Sequence, residues 1–164
     1  MPIETEAQKD KHWRPMPGSE CLITDLGGDA QVAQRLAQMG VLPGSRLRVV
    51  RLAPLGNTVE VALEQGELLA LRMEELTALG CNYLVLPLSQ VALWGSGRYR
   101  ITHLTGGRTF RERMQKAGLQ EGRILSATNP ARWPLEIHTE SADGKLQLGR
   151  GEAGKILVER IDGQ

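Results

Sequence analysis

The stretch Arg35-Leu36-Ala37-Gln38-Met39-Gly40-Val41-Leu42-Pro43-Gly44 is predicted to form the end of a helix and the turn after it. Asp29 is suited to begin this helix, residues 30–39, because an aspartate side chain accepts hydrogen bonds from the free amides of a first turn. Gly40 is suited to end it, since glycine adopts the left-handed C′ conformation without strain, and Val41 then packs back on the helix. The apolar residues sharing one helical face are Val32, Leu36 and Met39. The stretch therefore predicts a short amphipathic helix that stops at a glycine.

The same pattern recurs 78 residues later. Without a gap, Ile23 to Leu79 matches Ile101 to Leu157. The identical pairs include Ile23/Ile101, Gly28/Gly106, Arg35/Arg113, Gly40/Gly118, Gly44/Gly122, Leu47/Leu125 and Arg72/Arg150. Because many of these pairs are glycines, the backbone turns are duplicated even where side chains differ. A repeat of this length indicates two copies of one compact module rather than a solenoid.

Each module is predicted to be mainly β. In the first, the alternation of apolar and polar residues between turns predicts strands at residues 21–26, 45–52, 59–63, 68–72 and 83–86. Pro54-Leu55-Gly56-Asn57 is predicted to be a hairpin loop, and residues 73–75 a polar turn. Five short strands and one helix in so few residues indicate a small, strongly curved β-barrel.

The second module repeats this order with substitutions. Thr109 and Glu112 match a capping box, which predicts a helix that begins at Thr109 and ends at Ala117. Phe110, Met114 and Ala117 would form its buried face. In the hairpin loop, Arg132-Trp133-Pro134 replaces Pro54-Leu55-Gly56.

These boundaries predict four segments. Residues 1–20 are a polar, flexible tail, residues 21–86 the first barrel, residues 87–97 a linker, and residues 98–161 a second, divergent barrel. Within the linker, Val91, Leu93 and Trp94 are expected to dock between the barrels.

Composition and charge exclude several classes of protein. With 20 Lys and Arg against 19 Asp and Glu, the net charge of +1 argues against a surface that seeks polyanions as a whole. Two cysteines, Cys21 and Cys81, are too few for a disulfide framework, and each is expected to be a small buried hydrophobe. The first twenty residues contain no apolar run, and no stretch is long enough to span a membrane. We therefore expect a cytoplasmic protein that is not embedded in a membrane.

No catalytic motif is present, and we expect no enzymatic activity. His103 and His138 are the only imidazoles in the modules, and solvated surface histidines are the favoured interpretation. Glu74, Glu75 and Glu152 could offer carboxylates to a hard cation, although surface charge on a capped turn explains them equally well. We expect no resident cofactor. The candidate ligands for a weakly bound divalent transition metal are His103, His138, Glu74 and Glu152.

The two modules differ in charge. Residues 22–86 contain five Arg and seven acidic residues, whereas residues 98–161 contain twelve Lys and Arg and seven acidic residues. A basic module suggests nucleic-acid binding, but the aromatic residues that would stack on bases are scattered, and stable binding is not expected. The hairpin tips favour protein recognition instead, because Leu55 and Trp133 are large apolar residues between turn residues. The alternative is that each tip folds back over the neighbouring module.

The segments from Arg35 to Gly44 and from Leu47 to Asn57, with Ala70-Leu71-Arg72-Met73-Glu74-Glu75, resemble the FeoA domain family. That family combines an R-L-x-x-L-G-hydrophobic-x-P-G segment, a strand, an A-P-L-G hairpin and a final A-L-R-x-x-E. The likeness is strong over residues 22–86 and weaker over residues 98–161. It implies two tandem small SH3-like β-barrels, each with one short α-helix.

The resemblance also implies a function. It suggests an accessory protein of bacterial ferrous iron uptake that contacts the cytoplasmic GTPase domain of the FeoB-type permease. The residues we expect to contact this partner are Pro54, Leu55, Gly56, Arg132, Trp133 and Pro134. The alternative is a transition-metal-responsive regulatory module related to the C-terminal domain of DtxR-type repressors.

Overall fold

A computed structural model describes residues 13–54, 56–140 and 144–161. The chain divides into two compact units, Met1–Leu84 and Val85–Gln164. Each unit is built around its own short antiparallel strands, and we describe them in turn.

The first unit contains an antiparallel sheet and two helices. Its elements are β1 (Glu20–Asp25), α1 (Ala30–Gln38), β2 (Arg46–Leu52), β3 (Thr58–Leu63), β4 (Leu68–Arg72), α2 (Met73–Ala78) and the start of β5 (Gly80–Pro87). The strand order is β4-β3-β2-β1-β5, so that β4 lies at one edge. Alternate residues of the strands point inward, and Ile23, Leu47, Val59, Val61 and Leu71 are fully buried.

The ends of α1 agree with the sequence prediction. The Asp29 carboxylate accepts the amide of Gln31 at 2.9 Å and that of Val32 at 3.2 Å. At the other end, Gly40 has a φ of +95°. The amide of Val41 donates to the carbonyl of Leu36 at 2.9 Å, which is the 6→1 bond of a Schellman stop. The glycine therefore ends the helix and turns the chain toward β2.

The second unit repeats this arrangement. After the end of β5 come a 3₁₀ helix (Leu88–Leu93), β6 (Gly97–Leu104), α3 (Arg108–Lys116), β7 (Ile124–Ala127), β8 (Leu135–Thr139), β9 (Lys145–Leu148), α4 (Arg150–Ala153) and β10 (Ile156–Arg160). The strand order is β10-β6-β7-β8-β9, and Leu86 and Pro87 of β5 lie opposite Val158 and Leu157 of β10. The predicted fold class is confirmed, and each unit also has a second short helix, α2 or α4.

Residues from the predicted linker contribute to the core of the second unit. Leu88 and Val91 of the 3₁₀ helix are fully buried in that core. Trp94 packs against the same cluster and stacks on Tyr99, with ring centroids 5.7 Å apart. Burial raises the pKa of the Tyr99 hydroxyl because ionisation would place a charge away from water.

Part of the predicted N-terminal tail packs against the first unit. Trp13 is buried and its ring lies 5.4 Å from that of Tyr83 on β5. The amide of Gly18 donates to the carbonyl of Val49 at 2.8 Å, so this segment is tied to β2. Residues 1–12 of the predicted tail lie outside the described residues.

The predicted start of the second helix is wrong. The helix α3 begins at Arg108, with Gly107 as N-cap, and the amide of Arg111 donates to the carbonyl of Gly107 at 2.9 Å. Thr109 therefore lies inside the first turn, and Glu112 pairs with Arg108 at 3.0 Å instead of closing a capping box. Ala117, expected on the buried face, is the exposed C-cap.

The ungapped repeat register is also wrong beyond β2. Leu63 lies opposite Leu47, but Thr139 lies opposite Leu125, so this hairpin is two residues shorter in the second unit. Part of the extra length in the first unit is a bulge between Val49 and Arg51 on β2. Strand pairing, rather than sequence spacing, defines the equivalent positions from here to the end of each unit.

The sequence analysis did not predict that the two cysteines are neighbours in space. Cys21 on β1 and Cys81 on β5 form a disulfide, with their Cα atoms 5.5 Å apart. This separation lies within the range that a disulfide requires. Because β1 and β5 are neighbouring strands, residues 60 positions apart in sequence come together in space.

We expect reduction of this bridge to lower the free energy of unfolding by up to about 4 kcal/mol, because a long closed loop restricts the unfolded chain. Urea unfolding with and without dithiothreitol measures the change. Cys81→Ser is the control and should unfold identically in both conditions. An equal response of this variant to dithiothreitol would show that the effect does not come from the bridge.

Gly106 is expected to be needed for full stability, whereas its repeat equivalent Gly28 is not. A Cβ on Gly106 would overlap the ring of Phe110, but a Cβ on Gly28 meets no atom within 4 Å. Gly106→Ala should therefore cost about 1–3 kcal/mol of stability through overpacking. Gly28→Ala should change it by less than about 0.5 kcal/mol. Urea midpoints followed by circular dichroism test this pair, and equal losses would contradict the steric explanation.

Candidate partner-binding site

The hairpin tip of the second unit connects β7 to β8 and is held by turn and side-chain hydrogen bonds. The amide of Arg132 donates to the carbonyl of Asn129 at 3.0 Å, and Ser96 Oγ donates to the carbonyl of Thr128 at 2.7 Å. Pro130 is buried, and the peptide bond between Trp133 and Pro134 is cis. The tip is therefore anchored at several points along its length.

Trp133 is partly buried at this tip. One part of its side chain packs against the core of the second unit. The guanidinium carbon of Arg150 lies 5.1 Å from the ring centroid, which is the geometry of a cation–π contact. The indole is thus held by its own unit and still contributes to the surface.

An open cavity of about 360 Å³ lies beside this ring. Its lining residues are Thr128, Asn129, Arg132, Trp133, Pro134, Glu136 and Gln147. The sequence singled out three of these, Arg132, Trp133 and Pro134. Of the other four, Thr128, Asn129 and Glu136 are close in sequence, whereas Gln147 is brought to the tip by the pairing of β9 with β8.

The tip of the first unit is a shorter loop. The amide of Ala53 donates to the carbonyl of Thr58 at 3.0 Å and closes the hairpin. Pro54 and Gly56 are exposed at its end. Leu55 lies outside the described residues.

The structure does not bring His103 and His138 together. Ser126 on β7 lies opposite His138 on β8 and, on its other side, opposite Arg98 on β6. His138 is therefore level with Arg98, and His103 lies five residues further along β6. Five residues of strand span roughly 16 Å. His103 Nδ1 lies 3.1 Å from Glu121, and His138 Nε2 lies 3.3 Å from Glu136. Among the described residues, no three His, Cys, Asp or Glu side chains cluster as metal ligands.

The carboxylates proposed as cation ligands have different surroundings. Glu74 is exposed on α2. Glu152 on α4 pairs with Arg113 of α3 at 2.8 Å and also accepts the amide of Gly149 at 3.4 Å. Glu152 therefore joins two helices, and its oxygens are already engaged.

The equivalent of Glu152 in the first unit is Glu75, a carboxylate that the sequence suggested together with Glu74 but whose ion pair was not predicted. This buried carboxylate accepts the amide of Arg72 at 2.9 Å and pairs with Arg35 of α1. The signal was present in the repeat, because Arg35 and Arg113 match. The register slip hid it by aligning Glu152 with Glu74.

Many of the basic residues of the second unit are paired with carboxylates. The pairs include Arg98–Glu140, Arg100–Glu159, Arg108–Glu112, Arg113–Glu152 and Lys145–Glu136. Because these pairs are exposed, each contributes little to stability. They place a carboxylate beside five of the twelve basic residues of this unit, while its excess of basic over acidic residues is unchanged.

The helices of the described residues are all too short or too polar to cross a membrane.

The FeoA domain model matches two segments, residues 16–81 and 87–160. Iron(II) transport protein A from Clostridium thermocellum is 30% identical, with a TM-score of 0.55; the likeness covers 90% of this chain and 86% of that one. A Pseudomonas aeruginosa protein is 40% identical over 43% of this chain and 95% of its own, with a TM-score of 0.35.

A manganese-dependent transcriptional repressor is 23% identical over 44% of this chain and 35% of its own, and its TM-score of 0.41 is too low to support an argument. No curated protein matches the chain. The first segment spans β1 to β4 and the first two residues of β5, the second spans β6 to β10, and together they include most of the sequence. The chain therefore belongs to the FeoA family and contains two FeoA domains in tandem.

Proposed function

We propose that this chain is a non-enzymatic, cytoplasmic accessory protein of ferrous iron uptake that contacts the GTPase domain of a FeoB-type permease. Membership of the FeoA family implies a role in ferrous iron transport. The contact with the permease and the residues that make it are our proposal. The hairpin tips are the surfaces that we assign to it.

The observation that carries the proposal is the position of Trp133. Its ring forms one wall of a cavity of about 360 Å³, while its other contacts hold it in place. A large side chain that is already ordered loses little conformational freedom on binding. Aromatic residues in such positions, together with arginines, are typical energetic centres of protein interfaces.

Arg132 gives the proposed surface its charge. It lines the same cavity and is exposed, and the described residues place no carboxylate in an ion pair with it. A partner surface with a carboxylate beside an apolar side chain would complement Arg132 and Trp133. The proposal therefore specifies an apolar contact flanked by an acidic one.

The separation of the two histidines favours the function of an adaptor over that of a metal-responsive module. His103 and His138 lie far apart along the sheet and each contacts a different glutamate. A metal site would need further ligands brought to one of them. Contact with a partner requires no such rearrangement.

A binding titration with the soluble GTPase domain of the cognate permease, with and without guanine nucleotide, tests the proposal. We expect saturable binding that Arg132→Glu weakens about tenfold or more and Trp133→Ala by about 30-fold. Leu55→Asp tests the tip of the first unit in the same assay. Arg123→Glu is the matched control, because it makes the same charge change at an exposed residue away from the tip.

Each outcome has a defined meaning. Binding that Arg132→Glu and Arg123→Glu weaken equally would assign the effect to overall charge and remove the tip from the contact. Absence of binding in every nucleotide state would contradict the adaptor proposal itself. Unchanged circular dichroism spectra of the variants are required, because Trp133 also packs against the core.

The proposed cytoplasmic location predicts the redox state of the two cysteines. The cytosol keeps thiols reduced, so Cys21 and Cys81 should be free thiols in growing cells. Rapid acid quenching followed by alkylation and mass analysis measures their state. A fully oxidised pair would contradict the proposed location.

A further inference from the structure

The edge strands β4 and β9 are equivalent in backbone geometry. Leu68 lies opposite Ala62 on β3, and Lys145 lies opposite His138 on β8. Each strand is paired on one side only within the described residues, because β4 and β9 end their sheets. Each unit thus has one open edge, and the two edges can be compared position by position.

The hydrogen-bond pattern shows which backbone groups face this edge. The amide of Leu63 donates to the carbonyl of Glu67, and the amide of Met73 donates to the carbonyl of Asn57. Antiparallel pairs alternate between bonded and non-bonded residues, so Leu68 and Ala70, which lie between these two bonded pairs, do not bond to β3. Their amides and carbonyls therefore point away from the sheet.

The same alternation of hydrogen-bonded and outward-facing residues is present in β9. The amide of Thr139 donates to the carbonyl of Gly144, so Lys145 and Gln147 direct their backbone groups outward. Beyond each strand, the next outward amide, that of Arg72 or Gly149, is already bonded to a glutamate. Each edge therefore has two residues, two positions apart in sequence, whose backbone amides and carbonyls face outward.

The side chains at these two edges differ. Leu68 is 60% exposed, and Ala70 beside it is exposed and uncharged. The equivalent residues of the second unit are Lys145, whose side chain is 64% exposed, and Gln147. Lysine on an edge is a usual means of preventing a further strand from pairing. At these two positions only β9 carries a charge, although the backbone geometry of the two edges is the same.

We propose that β4 of the first unit binds an extended peptide segment as an additional antiparallel strand. Backbone hydrogen bonds to Leu68 and Ala70 would supply part of the affinity, as in other cases of strand addition. An open groove of about 360 Å³ beside Leu68, floored by Ala62, would accept one apolar side chain of the peptide.

Charge specifies one end of this peptide. Glu67 is exposed immediately before β4, whereas the charged residues of the groove balance, with Glu20 and Glu64 against Arg46 and Arg48. At the other end, Arg72 and Glu74 are both exposed. A segment with alternating apolar residues and a basic residue beside Glu67 would complement this edge. The inference concerns a surface separate from the hairpin tips and does not depend on the proposed permease contact.

The length of β4 favours a peptide over a second copy of the chain. The strand has five residues, of which two direct free backbone groups outward. A stable dimer usually buries about 800 Å² on each partner, much more than so short an edge offers. A short segment held by a few backbone bonds matches the available surface.

The test uses the full chain and the amidated heptapeptide Lys-Val-Thr-Val-Thr-Val-Lys. Amide NMR is expected to show saturable shifts and slowed exchange at Leu68 and Ala70. Ala70→Pro removes one outward amide and spares the bonds to β3, so it should weaken binding about tenfold or more. Gln147→Pro is the matched control at the equivalent position of β9 and should leave binding unchanged.

Leu68→Lys gives the first edge the protection of the second, and it should also weaken binding without affecting the fold. A peptide in which proline replaces the five central residues keeps the charge but has no central amide donors, and it should not bind. Equal binding of this peptide, or of the Ala70→Pro variant, would overturn the proposal. Self-association of the chain that Ala70→Pro abolishes would assign the edge to a second copy instead.

Discussion

The return of the chain from helix to sheet is the constraint on which both units depend. In each, an amide three residues beyond the helix bonds back into its last turn, from Val41 to Leu36 and from Leu119 to Met114. A second bond then ties the following turn to the first strand, from the amide of Gly122 to the carbonyl of Ile101 in the second unit. The glycines allow the positive φ that these turns require. Without them, β2 and β7 could not begin beside the strands that they pair with.

On this shared frame, the two units have diverged at their surfaces. The row Glu20, Arg48, Ala62 and Leu68 crosses the first sheet, and Arg98, Ser126, His138 and Lys145 form the equivalent row of the second. One row ends in an exposed leucine and the other in an exposed lysine. The tips differ as well, since the second carries a tryptophan beside a cavity. The duplication thus provides one fold with two different sets of contacts.

Part of the candidate site could be predicted from the sequence and part could not. Arg132, Trp133 and Pro134 were selected because an aromatic residue in a turn is conspicuous locally. The ion pair between Glu75 and Arg35 was not predicted, because it depends on how α1 packs near α2. The disulfide was missed for a similar reason, since Cys21 and Cys81 meet only when β1 and β5 become neighbours.

The sequence by itself determined the repeat, the mainly β class, the position of α1 and the glycine stops, because these depend on residues close together in the chain. The tertiary structure alone decided the strand register, the ion pairs between helices and the open edge at Leu68. Register is a property of two strands at once, and a bulge such as that near Val49 shifts it without a clear mark in the sequence. Long-range pairing therefore decides which side chains share a surface, and with it where a partner can bind.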